Sequence, residues 1–198
     1  MHIQWCLKGV AEYPSFSDAQ AIAVLDSGLP SNWLRQNASS QLDAGLIGGQ
    51  QALSATALFD HVNDYASVGA RTPYISLSAG IVQPGDFGFA TFPAWYTAAD
   101  FATRGPTGEG YIYRVWTVVA PKVSSSLMNV SDEVRDLNII RHFWRYNREG
   151  EIAAKLLIPF TQIEWVLKLN SLLDTIWRTD NPRFVRPESI SNLLEEIS

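Results

Sequence analysis

The sequence is poor in the residues that staple or metallate a small domain. It has one cysteine, Cys6, and three histidines in 198 residues. A single thiol excludes an intrachain disulfide. His61 and His142 stand at no metal-ligand spacing with cysteine or with another histidine. That removes the common zinc patterns and leaves both histidines to structural or surface roles. Positive charge is also scarce. The chain has 15 Lys and Arg against 20 Asp and Glu, for a net charge of -5 and a pI of about 5.1. Gripping a phosphate backbone takes a basic face, so no generalised nucleic-acid partner is expected. No apolar run approaches the roughly 18 residues of a membrane span. The N-terminus shows no basic segment followed by an apolar one, so no signal peptide is seen. Neither glycine-rich phosphate loop, P-loop or Rossmann, occurs.

What is present is ordinary globular composition, 46% hydrophobic and 18% charged. A chain of this length can bury a full core unaided, and a single domain over residues 1–198 is expected. Cys6, among apolar neighbours, is expected in that core. His2 to Val10 and Gly110 to Ala120 read as strands, rich in β-branched and aromatic residues. Ser17 to Leu25 reads as a helix capped by Ser17. Residues 31 to 50 read mainly as loop. Leu53 to Tyr65 has apolar residues at helical spacing. Pro73 to Ala79 reads as a short strand, Gly80 to Pro93 as a mobile loop, and Ala94 to Thr103 as a helix. Ile152 to Phe160 and Ile163 to Lys168 read as strands, and the tail from Asn170 onward as helical in two pieces. Strands and helices alternate without a regular βαβ period, which favours α+β.

Three stretches carry the chemistry. "TPYISLSAG" puts Ser76 and Ser78 on one face of a strand, because strand side chains alternate. "EGYIYRVWTVVAP" is a hydrophobic strand. "REGEIAAKLLIPFTQIEWV" sets Glu149 and Glu151 around Gly150, just before an apolar run. Two carboxylates at the mouth of a buried strand must be solvated, paired or used, since burying an unpaired charge is costly. A solvated loop is the plain alternative. In this order the stretches resemble the ADP-ribosyltransferases of the cholera-toxin type, which carry an Arg on the first strand, a Ser-Thr-Ser strand and a Glu-x-Glu turn. "ALFDHVNDYA" is similar to the helix that this family places before its serine strand. The resemblance spans roughly Leu53 to Val166. Two departures stand out. Leu77 replaces the middle Thr, and "WCLKG" offers Lys8 where the family has its first-strand Arg. Arg35, in "NWLRQ", is favoured as the phosphate anchor on residue type, with Lys8 as the alternative, because a guanidinium forks onto a diphosphate and an ammonium does not.

The resemblance implies a split β-sandwich of two mostly antiparallel sheets with flanking helices. It also implies NAD as substrate, bound between the sheets. The implied reaction cleaves the nicotinamide–ribose bond and moves ADP-ribose to a protein side chain, arginine above all. Glu151 would stabilise the developing positive charge. Glu149 would deprotonate the incoming guanidinium. Ser76 would hold Glu151 or the ribose, with Ser78 secondary. Phe87, Phe89 and Phe92 fall where the family often stacks an aromatic on nicotinamide; core packing under the loop is the other reading. The family further implies a toxin or effector, secreted or delivered into a host cell, acting on a host target protein. Two alternatives stay open. One is a binding module without turnover, or one that only hydrolyses NAD. The other is a glycoside hydrolase using Glu149 and Glu151, whose strand spacing overlaps that of inverting enzymes.

Overall fold

The structure, a computed structural model, describes residues 2–37, 48–49, 51–79, 94–105, 107–119 and 151–187. Its centre is a pair of ten-residue strands, β1 (His2–Ala11) and β4 (Gly110–Val119), aligned over every rung from His2↔Val119 to Ala11↔Gly110. Around them stand β3 (Tyr74–Ala79), β5 (Glu151–Lys155), β7 (Ile163–Leu169) and β8 (Thr175–Asp180). The six form one sheet in the order β5-β3-β1-β4-β7-β8. β2 (Leu29–Pro30) and β6 (Leu157–Ile158) make a second, two-stranded sheet. Every pairing among the described strands is antiparallel. This is the expected α+β class, with two antiparallel sheets of very unequal size.

Strand alternation sorts the side chains onto two faces. Tyr111, Tyr113 and Val115 join Ile75, Leu77 and Val166 on one face, against Ala21, Val24 and Leu25 of α1 (Asp18–Ser27). Cys6 is buried there as a small apolar residue. Ser17 caps α1 as expected, in a reciprocal capping box with Gln20. Ile112, Leu167 and Leu169 point to the other face, against Ala98, Ala99 and Ala102 of a later helix, Ala94–Thr103. That small-residue stripe brings helix backbone onto sheet backbone. A Cβ at Gly9 or Gly110 would stand 2.0 Å from the carbonyl oxygen of Ala98 or Ala102, so only glycine fits at either crossing. Beyond it, α3 (Ala55–Asn63) packs Leu58 and Val62 on Tyr74 and Ala153.

One buried charge braces the far end of the sheet. Lys168 is 8% exposed, and its Nζ lies 2.9–3.1 Å from carboxylates of Glu109, Asp18 and Glu12. Burial works against its charge, but hydrogen bonds to the three acids outweigh it and push the ammonium above its ordinary range.

The chain departs from the sequence expectations in three places. Within the stretch read as loop, α2 (Asn32–Asn37) is helical. Ser31 caps it by accepting the Leu34 amide at 3.2 Å, and Leu34 supplies its one buried side chain. In the tail read as helical, Thr175–Asp180 is strand β8, joined to β7 by a turn in which the Asn170 carboxamide oxygen accepts the amides of Leu172 and Asp174. Only Trp177 of β8 packs on the core, so "TIWRTD" pairs as an edge strand through its backbone. Finally, the single strand expected from Ile152 to Phe160 breaks at Leu156, whose φ is 55°. Its amide bonds to Pro73 O and its carbonyl accepts from Ser31, and the chain passes there from the large sheet to the small one. The remainder of the expected tail, the loop 80–93 and the segment 121–150 lie outside the described residues.

Candidate functional site

The site begins where two neighbouring strands part. Among the described residues β1 and β3 pair at two rungs, Cys6↔Ala79 and Leu7↔Ser78. From Lys8 onward β1 stays on β4, while β3 runs back toward Tyr74 beside β5. The gap is a cleft of about 690 Å³, walled by Lys8–Ala11 on one side, Tyr74–Ser76 on the other, and residues of α1 and α2. A smaller cavity of about 250 Å³ adjoins it. Lys8, Gly9, His61, Tyr65, Ser76 and Phe101 border both.

The parting strands bring most of the described sequence candidates together. Ser76 and Ser78 sit two apart on β3, and Ser78 pairs with Glu151, the first residue of β5. The pairing sets the backbone of Glu151 across from Ser78 at the end of that ladder. Ser78, rather than Ser76, is its direct neighbour; Ser76 pairs with Ala153. Lys8 enters from β1, half-buried. Arg35 comes from the last turn of α2, exposed, with its guanidinium bonded to Asn32 and 3.5 Å from the Tyr13 hydroxyl. It borders the larger cleft only. Glu149, Phe87, Phe89 and Phe92 lie outside the described residues.

The residue that spacing arguments set aside is His61. It is 2% exposed, on the sheet-facing side of α3. Its Nε2 lies 2.9 Å from Ser76 Oγ, and its Nδ1 lies 2.8 Å from Thr72 Oγ1. Each hydroxyl can donate or accept, so both ring nitrogens are satisfied in either neutral tautomer. Burial, aided by the charge of Lys8, lowers its pKa from 6.5 to about 4. The imidazole is therefore neutral at physiological pH, and it fixes the Ser76 hydroxyl at the cleft wall. The signal was present in the "FDHVNDY" helix, but its partner is a hydroxyl fifteen residues away, which no ligand-spacing rule detects.

This burial makes an acid-stability prediction. The unfolded chain takes up a proton on His61 near pH 6.5, while the folded chain resists until about pH 4. Stability from this group is complete above pH 6.5 and is lost as pH falls between those values, by about 3 kcal/mol. His61→Gln should flatten that stretch of a urea-midpoint-against-pH curve. Asp18, held below its ordinary 3.8 mainly by the Tyr111 hydroxyl, acts only at lower pH. An unchanged slope between pH 6.5 and 4.5 in the variant would refute the assignment.

No family model matches the sequence, and no curated protein matches it. Among solved structures, the chain is similar over most of its length to one described as a guanine-specific ADP-ribosyltransferase. That similarity has a TM-score of 0.44 and 14% identity, covering 94% of this chain and 81% of that one. A second similar structure is EcPltA, with a TM-score of 0.45 and 13% identity, covering 92% of this chain and 88% of that one.

Proposed function

We propose that the protein is an NAD-dependent mono-ADP-ribosyltransferase that modifies an arginine side chain of a target protein, as a toxin or effector delivered to another cell. One observation carries the reading. The serine strand of the sequence resemblance lines a cleft at the parting of two strands, with Ser76 seated by a buried neutral histidine and the backbone of Glu151 paired with Ser78 on the neighbouring strand.

The cleft suits an elongated, polar and anionic substrate. Its walls offer backbone from two strands that no longer pair with each other, the side chains of Ser15, Gln20, Ser31 and Asn32, and two cations, Lys8 and Arg35. In the reaction, the bond between ribose C1′ and the nicotinamide nitrogen breaks, and its electron pair leaves with nicotinamide. A guanidine nitrogen of the acceptor forms the new bond to C1′ and gives up a proton. Glu151 stabilises the positive charge that builds on the ribose, which needs no metal. Glu149 takes the guanidinium proton. Ser76 and Ser78 orient the ribose and the Glu151 carboxylate.

Lys8 and Arg35, which both border the larger cleft, hold the phosphates. Residue type favours Arg35, but burial argues for the other ranking. Lys8 is half-buried and borders both cavities with Ser76, where charge is less screened, whereas Arg35 is exposed and borders the larger cleft only. Lys8→Ala should raise the KM for NAD about tenfold or more, in line with a lost charge-assisted hydrogen bond. Arg35→Ala should raise it about threefold, as for an exposed ion pair. Nicotinamide release at varied NAD gives both constants, and the reverse order would move the anchor to α2.

The reading itself is tested by incubating the protein with NAD labelled on its adenylate half and a host-cell lysate. Nicotinamide release with label on an arginine-containing peptide is expected. Folded protein that consumes no NAD would leave only a binding module.

A further inference from the structure

Thr72 has no part in the chemistry above, yet it stands directly behind it. It follows the single helical turn Gly69–Arg71 and precedes Pro73. Its φ of -69° and ψ of 136° are the extended backbone that a following proline favours. Its carbonyl accepts the Trp33 amide of α2 at 3.0 Å. The side chain is 3% exposed, and β-branching leaves it few rotamers. A buried hydroxyl held in this way must place its one proton on an acceptor.

The neighbours decide where that proton goes. Thr72 Oγ1 accepts the Tyr74 amide at 3.3 Å, and among the described residues its other side-chain partner is His61 Nδ1, at 2.8 Å. If Nδ1 carried the imidazole proton, Thr72 would accept twice and its own proton would be buried without an acceptor, which is unfavourable. If Nδ1 is bare, Thr72 donates to it and each of these groups is satisfied. The neutral imidazole then carries its proton on Nε2 and donates it to Ser76 Oγ at 2.9 Å. Ser76 accepts from His61 and keeps its own proton, on a wall that borders both cavities. The rings of Tyr65 and Tyr74 flank the imidazole at 5.5 and 5.7 Å.

We propose that Thr72 is a positioning residue that selects the Nε2–H tautomer of His61 and so makes Ser76 a hydrogen-bond donor toward the cleft. The donors run in one direction, from the Tyr74 amide through Thr72 and His61 to the Ser76 hydroxyl, which is left to bond a carboxylate or a ribose oxygen. The opposite tautomer would take the Ser76 proton and leave an acceptor there, and a carboxylate has no proton to give it. The catalytic consequence rests on the transferase reading, whereas the tautomer does not.

The experiment is nuclear magnetic resonance of the full chain at neutral pH, with histidine labelled in both ring nitrogens. His61→Gln identifies the His61 signals among those of the three histidines. A protonated Nε2 and a bare Nδ1 are expected, and a protonated Nδ1 in the wild type overturns the proposal without recourse to any variant. Kinetics then test the consequence. Thr72→Val keeps the shape and removes the hydroxyl. It should lower kcat for nicotinamide release about tenfold, the effect of one hydrogen bond, and leave the KM for NAD within about twofold. Thr72→Ser restores the hydroxyl and should return kcat to within about threefold of wild type. A packing role alone predicts the reverse, with Thr72→Val active and Thr72→Ser impaired, and that order overturns the proposal. So does an unchanged kcat in folded Thr72→Val. Wild-type protein that releases no nicotinamide overturns the transferase reading and the catalytic consequence, while the spectrum still decides the tautomer.

Discussion

Replacing Glu151 by Gln should lower both nicotinamide release and protein labelling by about 10²–10³, the usual cost of removing one preorganised electrostatic stabiliser. The size follows from where charge develops. Loss of nicotinamide leaves a ribose that resembles an oxocarbenium ion, whatever nucleophile arrives next. A carboxylate held beside that carbon lowers the barrier to both hydrolysis and transfer, so the two should fall together. Gln keeps the volume and a hydrogen-bonding oxygen, and removes only the charge. The fold should tolerate the change. β5 is held to β3 by five rungs, and Glu151 contributes the outermost one. Retention of most of the nicotinamide release by a folded Glu151→Gln protein would show that the cation is stabilised by some other group.

The elements that sequence made legible are those whose local pattern and tertiary role agree. β4 is dense in β-branched and aromatic residues because both its faces are covered, one by α1 and one by the helix Ala94–Thr103. That helix carries its buried small residues, Ala98, Ala99, Ala102 and Thr103, at helical spacing over its second half. The strand expected over Pro73 to Ala79 is β3, Tyr74–Ala79. What escaped depends on partners distant in sequence. α2 is one and a half turns of mostly polar residues, and it forms because Ser31 caps it and Leu34 has a core to enter. β8 has weak periodicity of its own and exists because the edge of β7 offers it a ladder. The cleft was least visible, since it requires β1 to leave β3 after two described rungs while holding β4 for ten, from His2↔Val119 to Ala11↔Gly110, and those partners are far apart in sequence. His61 escaped for the same reason. A single histidine has no pattern until the fold brings Ser76 to it. The choice between Lys8 and Arg35 is likewise one of position, because residue type and burial point in opposite directions.

Glu149→Gln should separate the two outcomes that Glu151→Gln removes together. Glu149 lies outside the described residues, so the expectation comes from the role that the family resemblance implies for it and from the chemistry of the proposed reaction. Water needs little base assistance to attack an oxocarbenium-like carbon, because the electrophile is already strongly activated. A guanidinium has no available lone pair until it loses a proton, so its attack depends on a base within reach. Gln at position 149 keeps size and hydrogen bonding but cannot take that proton. Arginine labelling should therefore fall at least 10²-fold, the lower range for general-base loss, while a sizeable part of NAD hydrolysis persists. Gly150 suits this division, since a residue without a side chain leaves room for an acceptor to approach both carboxylates. Nicotinamide release and labelled-protein yield should be measured on one Glu149→Gln preparation. If both fall to the level of Glu151→Gln, the two glutamates act as one unit and the division of roles is wrong. If neither falls, Glu149 is a solvated loop residue, and the guanidinium proton must leave by another route.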